Sequence, residues 1–405
     1  MIPSGWSLLN VADFLERISI PVIPKEDKTY REIGIRSHGK GIFHKEPTDA
    51  VTIGNKRVFE IVNNAFIVNI VFAWEQAVAK TTDNEIGFIA SHRFPQFLPK
   101  DNLCDIDFLL YFFKSTKGKY LLGLASPGGA GRNKTLGQKE FEKLEVILPP
   151  ILEQRKIAKI LSTWDKAIST TGALVSNRKQ QKKALMQQLL TGKKRFGEGE
   201  WEYIKFEELF NLEIGGTPSR TVSEYWDENG ETENHWLSIR DLKGKYISST
   251  SEKISDLGVS KSNVTLIPKD TIVLSFKLTI GRRAFLTMDT YTNEAICGLE
   301  IKDKTRLDNN YLYQALEFVD FDKEIDQAIK GKTLNKAKLK RLKLLVPDIA
   351  EQQKIATVLS VSDQEIEILE QQLSDLQQEK KALMQQLLTG KKRVNITIQN
   401  RRAVC

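Results

Sequence analysis

The chain has 405 residues, 40% of them hydrophobic, with a formal charge of +8 and a pI near 9.1. That size holds two or three domains, and the apolar content excludes global disorder. No apolar run of about 18 residues predicts a membrane span, and the opening MIPSGWSLLN lacks the charged and apolar regions of a secretory leader. Cys104, Cys297 and Cys405 are too scattered for a metal site or a disulfide framework, so a reduced, cytoplasmic chain is expected.

In chain order, residues 1–147 read as a first mixed block. The run VFEIVNNAFIVNIVF (Val58 to Phe72) is strand-like, and IDFLLYFFKS from Ile106 is helical. Residues 148–195 then predict one long helix. Pro149 and Pro150 suit a first turn, Glu153 suits the positive end of the helix dipole, and Gly192 followed by Lys-Lys-Arg suits its close. Residues 196–345 form a second mixed block, with DTIVLSF (Asp270 to Phe276) as a strand and NNYLYQALEF from Asn309 as a helix. Residues 346–394 predict a second long helix, opened by Pro347 and an Asp348–Glu351 capping box and closed by Gly390. A short tail, 395–405, follows. Neither block shows regular βαβ alternation, so each is expected to be α+β around a small curved sheet.

The two helical segments are copies. KKALMQQLLTGKKR occurs at Lys182 to Arg195 and again at Lys380 to Arg393, an offset of 198 residues. At the same offset LPPILEQRKIAKILS lies on VPDIAEQQKIATVLS, and Lys134–Leu136 lies on Lys332–Leu334. The blocks share only a faint entry, Trp6 with Phe14 and Trp201 with Phe210. A period this long is no solenoid; it is a duplicated unit of variable block and constant helix.

Each helix runs for about 40 residues, or roughly 60 Å at 1.5 Å per residue. The second carries a heptad seam of Ile366, Leu369, Leu373, Leu376, Leu383 and Leu387, broken by Lys380. The first carries a weaker one: Ile168, Thr171, Val175, Arg178, Lys182, Leu185 and Leu189. From Asp363 to Glu379 the second helix has acids and no base, whereas the first offers Lys166, Arg178, Lys179, Lys182 and Lys183 against Asp165. Antiparallel packing within one chain makes these charges face each other, which favours that partner over a self-pair. Two separate surface helices are the plainer alternative.

Motifs for chemistry are missing. There is no GxxxxGK[ST] loop, no Asn-Pro-Pro-aromatic tetrapeptide, no HExxH and no GxSxG; His38, His44, His92 and His235 are scattered. The glycine-rich SPGGAGRN (Ser126 to Asn133) reads as a loop. Basic residues stand out instead. The stretch Asp326 to Asp348 holds Lys330, Lys332, Lys336, Lys338, Lys340, Arg341 and Lys343 with no acid between; a solvated helix face explains it as well as phosphate contact does. WLSIRDLKGKY and SFKLTIGRRAF interleave aromatics with Arg240, Lys243, Lys277, Arg282 and Arg283. In the first block Arg36, Lys40, Arg57, Arg93, Arg132 and Lys134 are the thinner candidates. Arg and Lys of this kind grip phosphates or reach guanine edges.

The order block, helix, block, helix, with PPILEQRKIAKIL and PDIAEQQKIATVL opening the helices and KKALMQQLLTGKKR closing both, resembles the specificity subunit of type I restriction–modification systems. GGTPS (Gly215 to Ser219), WLSIRDL and TIGRRA resemble target-recognition segments of that family. The resemblance covers essentially the whole chain. It implies two target-recognition domains, each reading one half of a split, asymmetric DNA site. It also implies a pseudo-two-fold scaffold in which the helices form an antiparallel coiled coil that sets the gap. Such a chain is not an enzyme and holds no cofactor. Two methyltransferase subunits bring S-adenosylmethionine and methylate adenine, and nuclease–translocase subunits bring ATP and Mg. A four-residue insertion, about 6 Å of helix, should then shift the gap by one to two base pairs.

Other readings remain. A related system without a separate translocase differs in its neighbouring genes. A self-contained methyltransferase or nuclease would transfer methyl groups or cut DNA alone. A coiled-coil scaffold would show no salt-dependent DNA binding.

Overall fold

The structure is a computed structural model and describes residues 2–128, 134–277, 279–324, 326–328 and 331–396; for 324, 326–328 and 331–333 it describes the backbone alone. Two compact units result. The first comprises Met1–Ala173 with Gln371–Cys405, and the second Leu174–Glu370. The long helices, Ile151–Leu189 and Ile349–Leu387, are each divided between the units.

In the first unit the entry strand Ser7–Asn10 pairs antiparallel with Glu145–Leu148, the strand that leads into the first long helix. A four-stranded antiparallel sheet follows in the order Val78–Lys80, Phe66–Val68, Gln96–Pro99, Leu15–Ile18. A three-stranded sheet runs Ile89–Ser91, Val58–Glu60, Pro21–Val22. The strand-like run Val58 to Phe72 is thus two short strands with a turn between, because Asn64 there takes a positive φ of 56°. The helix Ile106–Lys114 forms as expected, capped by Asp105, whose side chain accepts from the Phe108 N–H. Its Phe108, Phe112 and Phe113 pack with Phe14, Phe66, Phe97 and Phe141. Ile157 and Leu161 of the first long helix join this core, as do Leu387 at the end of the second and Leu388 just after it.

The second unit repeats the plan with different sheets. Glu202–Lys205 pairs with Lys343–Val346, the strand that leads into the second long helix. A five-stranded sheet has the order Phe210–Ile214, Ile296–Ile301, Ile272–Ser275, Arg283–Leu286, Tyr246–Ile247, with the last pair parallel. Phe206, Phe210, Phe276 and Tyr311 fill the core, joined by Ile355 and Leu359 of the second long helix, Leu189 at the end of the first and Leu190 just after it. The equivalent pairs Leu189–Leu190 and Leu387–Leu388 do the same work in the two units. That explains why KKALMQQLLTG is kept twice: its leucines are core residues of a block, not surface decoration.

The helices pack side by side and antiparallel within each unit. In the first, Lys380 reaches Asp165 at 2.5 Å. In the second, Lys182 pairs with Asp363, Arg178 with Glu365 at 3.6 Å and Lys179 with Glu370 at 2.6 Å. The expected charge facing is therefore present, and Val175 and Ile366 are buried on the expected seams. Lys380 and Lys182, which interrupt the seams, are paired residues. Asp165 and Asp363 also accept from the blocks, from the Tyr111 hydroxyl at 2.6 Å and the Gln314 amide at 3.0 Å.

Candidate nucleic-acid interface

The geometry begins with how each block is held. Glu153 and Glu351 occupy equivalent places in the first turn of the two long helices, and both are buried. Glu153 accepts from the Trp6 indole at 3.2 Å and from Arg393 at 2.7 and 2.8 Å. Glu351 accepts from the Trp201 indole at 2.9 Å, from Arg195 at 2.9 and 3.0 Å, and from the Phe196 N–H at 2.7 Å. Burial works to raise the Glu351 pKa, but Arg195, Trp201 and Phe196 outweigh it and hold the group at about 2. The neighbouring glutamines match as well. Gln154 bonds Pro149 O, Leu103 O and Asp105 N; Gln352 bonds Pro347 O, Arg306 O and Asp308 N. The Glu-Gln pair of the repeated motif is thus a clamp between helix and block. The capping box expected at Asp348 is only half formed. Asp348 caps the Glu351 N–H at 2.9 Å, but the Glu351 carboxylate is taken by Arg195 and Trp201. Gly192 and Gly390 close the helices with φ of 72° and 71°, as expected.

In the first unit the candidate cations gather around one loop, Asn69 to Gln76. Its Ile70 N–H donates to Arg93 O at 3.0 Å, and Ile70 O accepts from the Leu136 N–H beside Lys134. His38 and Gly39, in the hairpin that carries Arg36 and Lys40, donate to Glu75 O and Gln76 O at 2.7 and 2.9 Å. Arg57 arrives because strand Val58–Glu60 pairs with Ile89–Ser91, placing Arg57 O on the His92 N–H. Arg93, the stretch beside Lys134 and the hairpin of Arg36 and Lys40, separated by up to about a hundred positions, thus bond one loop, with Arg57 bonded beside Arg93 at His92. Arg36 lies over the Phe43 ring at 4.8 Å and Lys134 over Trp74 at 5.6 Å. Arg36, Lys40, Arg57 and Arg93 are exposed, and none makes an ion pair among the described residues. Lys45, Lys56 and His92 join Arg93 around a depression of about 320 Å³. Sequence reading missed these; Lys56 beside Arg57 was the available signal. Arg132 lies outside the described residues.

In the second unit Lys243, Lys245, Arg282 and Arg283 line an open depression of about 700 Å³ with Tyr313 and Glu317. Gly281, at φ 90°, turns the chain so that its N–H and that of Arg282 both bond Ser275. Lys243 and Arg282 are exposed and free of ion pairs among the described residues. Arg283 is tied down: its Nε donates to Tyr313 O at 2.5 Å and it pairs with Glu317 at 2.9 Å. Arg240 pairs with Glu252 at 2.6 Å, and Arg220 shares that carboxylate at 2.5 Å while lying 3.5 Å over the Trp226 ring. Arg220, just after GGTPS, is a cation the sequence reading passed over. Lys277 stands 5.5 Å over the Phe276 ring, away from the depression's lining. Lys330 lies outside the described residues, and Lys332 falls on strand Gly331–Thr333, of which only the backbone is described.

Among the described residues no group of His, Cys, Asp or Glu could hold a metal, and no helix is long and apolar enough to cross a membrane. Two α+β blocks with cationic faces, each locked by the same clamp to the long helix that follows it, define a duplicated recognition protein. The model of the type I restriction modification DNA specificity domain matches residues 11–175 and again 198–378, and the chain belongs to that family. It is 24% identical to the type I restriction enzyme MjaVIII specificity subunit of Methanocaldococcus jannaschii, over 97% of this chain and 94% of that one. It is 27% identical to the EcoR124I/EcoR124II specificity subunit of Escherichia coli, over 52% of each. The crystal structure of the HsdS subunit from Thermoanaerobacter tengcongensis has the same fold, with a TM-score of 0.56 at 15% identity over 96% of this chain and 98% of that one. That of the type I S subunit from M. genitalium matches at 0.57 and 14%, over 98% and 100%.

Proposed function

We propose that this chain is the DNA-reading subunit of a methylation and restriction complex in the cytoplasm, each block reading one half of a bipartite, asymmetric site. The observation that carries the reading is the doubled clamp. Two differing blocks, each with a cationic face, are each fixed to the first turn of the long helix that follows it, one by Glu153 and the other by Glu351. Unlike faces on like clamps suit two different half-sites. The chain holds no cofactor of its own. Two methyltransferase subunits supply S-adenosylmethionine for adenine methylation, and restriction–translocase subunits supply ATP and Mg. The chain's own residues bind and orient the duplex: Arg36, Lys40, Arg57 and Arg93 in the first block, Lys243 and Arg282 in the second, neutralise phosphates and reach the groove. Sequencing of methylated adenines in genomic DNA tests this, in cells carrying the chain with its partner subunits. A split motif with a fixed gap is expected. A contiguous motif, or methylation that persists when this chain is deleted, overturns it.

A further inference from the structure

Phe72 is 40% exposed, at the tip of the Asn69 to Gln76 loop and on the rim of the depression that Lys56 and Arg93 also line. The solvent-facing part of its ring stands beside Lys56 and Arg93, while Lys45 on the same rim is paired with Glu32 at 3.0 Å. The loop beneath it is held firmly. Asn69 Oδ1 accepts from the Val71 N–H at 3.1 Å, and the Phe72 N–H donates to Asn69 O at 3.1 Å. The Trp74 indole donates to Val71 O at 3.2 Å. Gln76 sits at φ 61°, a left-handed conformation that disfavours any residue with a Cβ, and its amide is pinned to Phe113 O at 2.9 Å and Ser115 O at 3.2 Å. Strain of this kind persists only where surroundings enforce it, and it gathers at binding sites.

We propose that Phe72 is a specificity-determining residue of the first block. It makes apolar contact with a base in the groove, such as a thymine methyl group or the face of an unstacked base, while Lys56 and Arg93 hold the flanking phosphates. This rests on the DNA-reading function proposed above and assigns the reading tip of that block. The chemistry is complementary. Phosphate contacts position the loop without reading sequence, and an apolar side chain discriminates by the presence or absence of a methyl group or by the ease of unstacking. Rigidity matters because a preformed loop loses little entropy on binding.

The test uses the full chain with its partner subunits and a duplex library randomised across the first half-site. Phe72→Ala should lower discrimination at one or two adjacent positions by on the order of tenfold or more, leaving the second half-site and the salt slope of binding unchanged. Lys56→Ala should do the reverse: equal weakening on all sequences and a log–log salt slope shallower by about 1. Phe72→Leu, which keeps the apolar bulk, guards against a folding artefact and should retain part of the preference. Unaltered preference in Phe72→Ala, or a loss spread equally over all sequences, overturns the assignment of Phe72. Absence of salt-dependent DNA binding in the unaltered complex would instead overturn the DNA-reading function itself.

Discussion

The two blocks are clamped alike and charged unlike. In the first, Arg36, Lys40, Arg57 and Arg93 stand in solvent with no ion pair among the described residues. In the second, Arg220 and Arg240 share Glu252, and Arg283 holds Glu317. A free cation meets a phosphate by releasing counterions; a paired one must first exchange a carboxylate. Beside the free Lys243 and Arg282, the second face thus carries guanidinium groups fixed by carboxylates, and the two halves of one site should respond differently to salt and to substitution. The clamps differ in a smaller way. Glu351 has the Phe196 N–H as an extra donor, whereas Glu153 relies on Trp6 and Arg393.

The largest expected effect breaks the likeness of the clamps. Arg393→Ala leaves the Glu153 carboxylate with one indole N–H; because Arg393 is partly exposed, the cost in urea unfolding of the first unit should be about 1–3 kcal/mol. Arg195→Ala should cost less, because the Phe196 N–H still bonds the Glu351 carboxylate. Equal losses would show that the extra donor contributes nothing. The pH dependence follows from the same site. Glu351 is held at about 2, below its ordinary value of 4.5, so its stabilisation is complete above about pH 4.5 and disappears as the pH falls to 2. Thermal melting of Arg195→Ala should show a flatter acid limb over that window.

Next in size are the faces. Arg93→Ala should make the salt slope of binding shallower by about 1, while Glu252→Gln, by freeing Arg220 and Arg240, should steepen it. If Glu252→Gln leaves the slope alone, those arginines do not reach DNA. Smallest is the helix pair itself. Exchanging Lys179 and Glu370 for each other should change stability by less than about 1 kcal/mol, because both side chains are half exposed.

Much of the frame was legible because its signals are local and repeated: helix ends at Gly192 and Gly390, seams at heptad spacing, and opposite charge along them. The clamp was not. Glu153 meets Arg393 across 240 positions and Glu351 meets Arg195 across 156, and only the folded chain brings them together. The same local habit misled at Asp348, where a capping box was the nearest partner in sequence but the distant Arg195 took the buried Glu351 carboxylate. The cationic faces were half legible. Residue type pointed to Arg57 and Arg93, but their meeting depends on the pairing of Val58–Glu60 with Ile89–Ser91. Nothing in the sequence separated the paired Arg240 from the unpaired Arg282.

Arg393 also donates to Ser4 O at 2.7 Å, so the first unit fastens its opening residues to a helix end made nearly four hundred residues later. The second unit lies within one continuous stretch, Leu174–Glu370. During vectorial synthesis on the ribosome, the block translated second can therefore mature before the block translated first. The earlier block must wait, with the pockets for Leu387 and Leu388 still vacant, and a nascent chain halted before Arg393 would leave that half exposed to chaperones and proteases.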